Sequence, residues 1–288
     1  MSWNTQYGIN PDDVKALVRD FGGRADFPAL LASEVVTPYV ETSVNTEMQA
    51  KLFLDTRTLV PGETTQINVE PLSQAFVVDE TGASLPQPIG RKIIDPPNFT
   101  ADALLIFDLA ELAMGVVRPL DQHGQEASDL VRAKVDKACI EAALAAVPAE
   151  NTIECSGGML TNLAMSAAIS KLEDIDGLEL GCIFARSNRI LIDMKNFEFN
   201  SLSILDDLAR LGVIKTFGNG KVVKTPRIPA NEILLTPTRM VGRCSIVYGP
   251  TVVPHYGVEP GKIGMYVRMI CRIGVGLGNR CFRVLITD

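Results

Sequence analysis

Residues 122–147 read QHGQEASDLVRAKVDKACIEAALAAV, a run that holds no proline. Its apolar residues fall at Leu130, Val131, Val135, Ala138, Cys139, Ala142, Ala143 and Ala146. That three-and-four spacing makes one buried stripe of a helix. Arg132, Lys134, Asp136, Lys137 and Glu141 take the other face. The many alanines give the run a local propensity that agrees with its pattern. At ~1.5 Å per residue the helix reaches about 35–40 Å, the span of a small domain. Isolated helices are marginal in water, so one this long must pack on or bridge other structure. It is therefore expected to be a spine around which the other parts are arranged.

Before the spine, Asn10-Pro11-Asp12-Asp13 has the chemistry of a helix start: a cap residue, a first-turn proline and acids at the positive end. Val14, Leu17, Val18 and Phe21 would be its apolar face. Residues 24–44 mix short apolar pieces with Pro28 and Pro38, like an arm laid along other structure. Residues 64–70 (TTQINVE) alternate as a half-exposed strand does, after a Pro61-Gly62 turn. Residues 75–78 and 89–94 are further strand candidates, joined by the turn-rich DETGASLPQP. This excursion has too little apolar content for a core of its own and must lean on a partner or stay mobile. Residues 99–115 fit either a helix capped by Thr100 or a strand through 104–107 followed by a helical turn; the second is preferred.

After the spine, residues 161–172 (TNLAMSAAISKL) form an amphipathic helix with Leu163, Ala164, Ala167, Ala168 and Leu172 inward. Residues 181–185 (GCIFA) read as a buried strand, and 187–194 and 203–210 as short helices. Gly218-Asn219-Gly220 between 213–217 and 221–225 is a hairpin signature. Strands are expected at 232–236 and 244–248. From Lys262 the chain alternates through Met265, Val267, Met269, Cys271 and Ile273. It turns at 274–279 (GVGLGN) and closes with a strand at 281–287, the last two strands lying against the spine. No internal repeat is present.

Composition narrows the class. With 47% hydrophobic and 21% charged residues in 288, the chain is not a disordered one. Its mean hydropathy of +0.17 is apolar for a lone soluble monomer and points to buried subunit interfaces. A net charge of −7 is no footprint for tight nucleic-acid binding. No apolar run approaches the ~18–20 residues that cross a bilayer, and the polar N-terminus resembles neither a signal nor a transit peptide. The six cysteines, Cys139, Cys155, Cys182, Cys244, Cys271 and Cys281, include no C-x-x-C pair, and only His123 and His255 accompany them. They read as reduced, buried thiols of a cytoplasmic chain, not zinc ligands.

The search for chemistry yields little. Gly274-x-Gly276-x-Gly278 lacks the third glycine of a dinucleotide fingerprint, where Asn279 stands, and a strand follows instead of a helix; a hairpin turn is preferred. Ser156-Gly157-Gly158 beside Cys155 has neither a P-loop lysine nor a nucleophile elbow. His123 and His255 read as surface or structural imidazoles. Asp102, Asp108, Glu111 and Asp121 match no metal loop and read as a solvated face. Asp55, Asp79 and Glu80 are expected to be exposed or intersubunit charges. No catalytic, cofactor-binding or metal-ligating residue is assigned.

In this order the parts resemble the major capsid protein of tailed bacteriophages, the Hong Kong 97-type fold that encapsulin shells share. Four stretches carry the resemblance: QINVEPLSQAFVVDETGASLPQPIGRKII, then DLVRAKVDKACIEAAL, then TNLAMSAAISKL…GCIFARSNRILIDM with GNGKVVKTPRIPANEILL, and MYVRMICRIGVGLGNRCFRVLITD. The resemblance implies an α+β fold with an N-terminal arm at 1–45 and an extended β loop at 46–99. It implies a peripheral domain with the spine helix at 100–150, an axial α/β domain at 151–255, and return strands of the peripheral domain at 256–288. It further implies a structural protein of the virion, assembled in the host cytoplasm as pentamers and hexamers of itself. The icosahedral shell would enclose double-stranded DNA without sequence-specific binding and without a membrane. The arm looks too short for a built-in scaffold, which implies a separate scaffold or none; the resemblance makes scaffolding, portal and decoration proteins candidate partners. Two alternatives remain: an encapsulin shell, and an α/β enzyme in which His123 or His255 meets Cys155.

Overall fold

In a computed structural model the spine is a single α-helix, α1 (Arg118–Ala146). It begins a turn earlier than the sequence pattern suggests, because Pro119 in the first turn has no amide that the helix would need. The structure describes residues 48–60, 63, 67–69, 92–108, 110–111, 114, 118–158, 160–175, 178–186, 216–217, 219–255 and 261–287, and positions 16, 19, 20, 28, 32, 36 and 40. The buried face of α1 is wider than one stripe. Ala127, Val131, Val135, Cys139 and Ala143 form one row, and Ser128, Asp136, Ile140 and Leu144 form a second beside it. Two expectations are corrected here. Asp136 is fully buried, not on the polar face, because Ile140 and Leu144 carry the apolar surface one position further round. Leu130 is 57% exposed, one residue outside the first row.

In chain order the strands are β1 (Leu54–Thr58), β2 (Ile67–Val69), β3 (Lys92–Ile94), β4 (Asn98–Asp108) and β5 (Thr152–Ser156). Helix α2 (Asn162–Glu173) follows. Then come β6 (Leu180–Ala185), β7 (Thr216–Phe217), β8 (Gly220–Lys224), β9 (Glu232–Pro237), β10 (Gly242–His255), β11 (Lys262–Val275) and β12 (Phe282–Thr287). The 99–115 stretch is a strand, as preferred, and longer than expected. Alternation of Ala101, Ala103, Leu105 and Phe107 (buried) with Leu104 and Ile106 (exposed) extends it through all of β4. Thr161 caps α2, its Oγ1 accepting from the Ala164 amide at 3.3 Å. Met165 takes a core position of α2, while Leu163, expected inward, is 81% exposed.

The strands form a four-stranded sheet, β1-β10-β11-β4, a six-stranded sheet, β5-β12-β9-β6-β8-β7, and the pair β2-β3. β4 and β11 run antiparallel from Lys262↔Asp108 to Arg272↔Asn98. One face of the four-stranded sheet covers α1, burying Met265, Val267, Met269 and Cys271 together with the inward residues of β4. The six-stranded sheet is buried on both faces at its centre. Cys182, Phe184, Val223 and Leu234 enter the same core as α1, whereas Ile183, Ala185, Val222, Ile233 and Leu235 enter a second core with α2. Alternate residues of one strand thus serve two cores, which is why GCIFA and EILL are continuously apolar. Phe53, just before β1, meets Phe184 edge-on, ring centroids 5.1 Å apart, and joins the two halves.

The C-terminus departs from expectation. β11 lies against α1, but β12 crosses to the six-stranded sheet, parallel to β5 and antiparallel to β9. The glycine-rich 274–279 segment is a crossover, not a hairpin turn. Its physical reason is a close passage: a Cβ on Gly278 would sit 2.0 Å from the carbonyl oxygen of Ala146 at the end of α1. The chain is thereby pressed on the helix terminus and leaves the first sheet. β10, in turn, belongs to the four-stranded sheet although the strands before it in sequence, β8 and β9, belong to the six-stranded one. β1, which no sequence signal announced, pairs in parallel with β10. Ala32, Val36 and Val40 of the arm are buried in the main core. The expected helices at 187–194 and 203–210 and the strand at 75–78 lie outside the described residues.

Candidate functional site

Three parts of the chain meet at Asp136 of α1. Its Oδ1 accepts from the amide of Ala50 at 2.9 Å, and its Oδ2 accepts from Nη1 of Arg227. Ala50 belongs to the helical turn Gln49–Leu52 just before β1, and Arg227 follows β8 of the six-stranded sheet. One buried carboxylate therefore ties the spine to the segment before β1 and to the six-stranded sheet. Burial raises its pKa above the ordinary carboxylate range. The Ala50 amide, Arg227, the Gln49 amide and Arg132 pull the other way and do not cancel it. Sequence reading placed Asp136 on a solvated face. Ile140 and Leu144, apolar at four and eight positions beyond it, were the signal that it lies within a buried row.

The residues weighed for catalysis are not brought together. Cys155 is buried in β5, its thiol donating to Oγ1 of Thr161 at 3.5 Å. Gly157 and Gly158 have φ of +94° and +67°, and the Gly158 amide donates to the Thr287 carbonyl, so this loop is the end of the β5–β12 pairing. His255 ends β10 in the other sheet, its ring 4.8 Å from that of Tyr266. His123 lies in the first turns of α1, and its side chain is outside the described residues. All six cysteines are buried and free. Cys244 shares thiol hydrogen bonds with Cys139 and Cys271 where α1 meets the sheet; the bond to Cys139 foremost, and burial, push its pKa far up, the opposite of a reactive thiolate. Among the described residues no three His, Cys, Asp or Glu side chains are placed to hold a metal, and no helix is long and apolar enough to cross a membrane.

The acidic candidates have local duties. Asp102 receives a two-pronged hydrogen bond from Arg268 at 3.0 and 3.1 Å across β4 and β11. Asp108 ends β4 and accepts from the Ala110 amide at 2.8 Å, and Glu111 is exposed. Asp55, expected to be exposed or intersubunit, is 49% exposed at its side chain and pairs with Arg243 of β10 at 3.0 Å, because the parallel β1–β10 register sets the two residues opposite one another. Asp121, Asp79 and Glu80 have side chains outside the described residues.

What the fold leaves uncovered is a surface. The side of the four-stranded sheet away from α1 carries Leu104 and Ile106 on β4, 47% and 48% exposed, and Tyr248 on β10, 44% exposed. Tyr266 and Val253 stand opposite one another and next to Leu104 in the register. Ion pairs Asp102–Arg268, Asp55–Arg243 and Asp95–Arg272 lie alongside. An apolar, aromatic patch bounded by paired charges has the make-up of a protein-contact surface.

No protein-family profile matches this sequence, and no curated protein sequence matches it. Solved structures do share its fold. A virus-like particle from Pyrococcus furiosus is 14% identical, over 86% of this chain and 97% of that one, with a TM-score of 0.57. A structure from Gordonia phage Cozz is 11% identical, over 84% and 87%, with a TM-score of 0.62. The SrpI encapsulin of Synechococcus elongatus is 13% identical, over 84% and 88%, with a TM-score of 0.51. A four-stranded and a six-stranded sheet around one long helix, matched along most of each chain, define a shared α+β fold. More particularly, this chain has the Hong Kong 97-type capsid fold that phage capsids and encapsulins share.

Proposed function

We propose that this chain is a structural subunit, a major capsid protein that assembles as pentamers and hexamers into an icosahedral shell around double-stranded phage DNA. The observation that carries the reading is that the fold agrees over more than four-fifths of both chains, not over one shared domain. The uncovered sheet face supports it, being a surface that needs a neighbour. In this reading the extended loop reaches over an adjacent subunit from its root at β1. The four-stranded sheet with α1 is the peripheral domain, and the six-stranded sheet with α2 lies toward the capsomer axis. The role in this reading is structural, and the separation of Cys155 and His255 into different sheets supports it against a catalytic pair of those two. A net charge of −7 suits a wall that encloses its genome without gripping it. Scaffolding, portal and decoration proteins are the partners it implies, and the virion, formed in the host cytoplasm, its location.

The test is to express the chain alone and with a candidate scaffold, separate the products by size, and image them by electron microscopy. Closed shells, rings of five or six, or tubes support the reading. A dispersed monomer or dimer in both preparations ends it. An encapsulin-type shell is the second reading, favoured by the fold shared with an encapsulin over 84% of this chain. Shells that purify with a fixed protein cargo and no nuclease-protected DNA would select it.

A further inference from the structure

Two half-buried arginines among the described residues each have a carboxylate: Arg227 has Asp136, and Arg283 has Glu232. Arg280 does not. It lies in the turn Gly278–Arg280 of the crossover between the sheets and is only 9% exposed. Its Nε has no hydrogen-bond partner, which is also true of Nε in Arg227 and Arg283; what sets Arg280 apart is that no carboxylate among the described residues meets its guanidinium. Among the described residues no acid pairs with it or with Arg239. Arg239 is exposed in the turn between β9 and β10, close enough for its like charge, together with the larger effect of burial, to lower the pKa of Arg280. The crossover and this turn are held together by the amides of Gly276 and Leu277, which donate to the Val241 carbonyl at 3.2 and 2.9 Å.

Burying a charge is costly unless it is paired, and a second like charge beside it adds to that cost. Two guanidiniums, one enclosed and one open to solvent, present several N–H donors whose forks match the oxygens of a carboxylate or phosphate. The C-terminal end of α1, against which Gly278 rests, supplies partial negative charge nearby and offsets part of the cost without an ion pair. The remaining donors point to an oxyanion from outside the subunit.

We propose that Arg239 and Arg280 form an oxyanion site filled in the assembled shell by a carboxylate of a second copy of this chain. The occupant is argued from charge. Each copy carries 34 acidic against 27 basic residues. Glu150, Glu154, Glu173, Asp174 and Glu179, all exposed on the half built around the six-stranded sheet, form no ion pair among the described residues. The site rests on the shell reading for its occupant, but not for its existence.

The test uses the full-length chain, unassembled and assembled, with inorganic phosphate as the probe anion. Thermal unfolding is compared in sodium phosphate and in sodium chloride at equal ionic strength and pH. For the unassembled subunit, phosphate is expected to raise Tm by roughly 2–4 °C. The exposed-residue variant Arg239→Gln folds as the parent does and is expected to lose most of that rise; Arg280→Lys, which keeps the buried charge but not the fork, reduces it. No phosphate-specific rise in the parent subunit overturns the site. In shells the rise is expected to vanish, because the neighbour's carboxylate already sits there, and Arg239→Gln shells should come apart at lower salt. A rise that persists in shells overturns the second-copy occupant in favour of free phosphate. A rise that appears only after nuclease treatment overturns it in favour of a phosphodiester backbone. If no shell forms, the shell reading and the second-copy occupant fall together, while the subunit titration still decides the oxyanion site.

Discussion

Asp136 and Arg227 are, respectively, unexposed and 15% exposed at their side chains, so the energetics of this pair are those of buried charges. Arg227→Met removes the cation and strands a buried carboxylate. It is expected to cost about 3–5 kcal/mol at neutral pH in denaturant unfolding of the subunit. Asp136→Asn is expected to cost less, since the amide oxygen still accepts from Ala50 and no lone anion remains. The pH dependence has a defined sign. Burial raises the folded-state pKa of Asp136, so its contribution is fully present below the unfolded value and is lost as pH rises through the folded one. Removing Arg227 raises that folded value further. The Arg227→Met penalty should therefore shrink as the solution is acidified toward the ordinary carboxylate range, while the Asp136→Asn variant lacks this titration; a penalty for Arg227→Met that stays constant with pH would contradict it. Gly278→Ala belongs at the same scale. A Cβ 2.0 Å from a helix carbonyl forces the crossover outward, at about 1–3 kcal/mol, read as a lowered Tm. Ile140 and Leu144 signalled the burial of Asp136, but neither its partners nor the close passage of Gly278 was legible in sequence. A charged residue inside an apolar row, and a glycine that merely passes close to a helix end, both need the partner element before their meaning appears.

At the scale of elements, α1 shows how periodicity locates a helix better than it locates its buried face. The residues 122–147 pattern found the element and most of one row. It missed Ile140 and Leu144 because α1 meets β4 and β11 on one side and the segment before β1 on the other, which widens the contact to two rows. Ile140→Ala, from full burial, should cost about 2–5 kcal/mol, whereas Leu130→Ala should change subunit stability by less than about 0.5 kcal/mol. Equal costs for the two would refute the two-row face. The strands tell the same story. β4, β6, β8, β9 and β11 were readable because one or both faces are apolar at period two. β1 was not, because LDTRT owes its place to the register with β10 rather than to a pattern of its own. The start of α2 was read one residue early, at Thr161, which is its cap; Thr161→Ala should cost about 1 kcal/mol in the same unfolding assay.

For the whole molecule, the uncovered face of the four-stranded sheet sets the prediction. Leu104→Glu with Ile106→Glu places charges on side chains already about half exposed. The double variant should unfold like the parent subunit yet fail to form shells by size exclusion and electron microscopy; normal shells would remove this face from assembly. The sequence by itself determined the α+β class, the spine, α2 and most strands of the six-stranded sheet, and an order of parts that resembles a capsid subunit. These follow from local chemistry: caps, period-two and period-3.6 burial, and turns. Tertiary structure alone decided that β10 leaves the neighbours of β9 for the four-stranded sheet and that β12 makes the reverse crossing to the six-stranded one. It alone decided that Asp136 joins three parts of the chain and that Arg280 is enclosed without an acid. Strands alternating apolar and polar fit either sheet equally well, and only the close passage of Gly278 over the end of α1 separates the two routes. A charge's partner, likewise, is set by which distant segment folds against it, and no spacing along the chain encodes that distance.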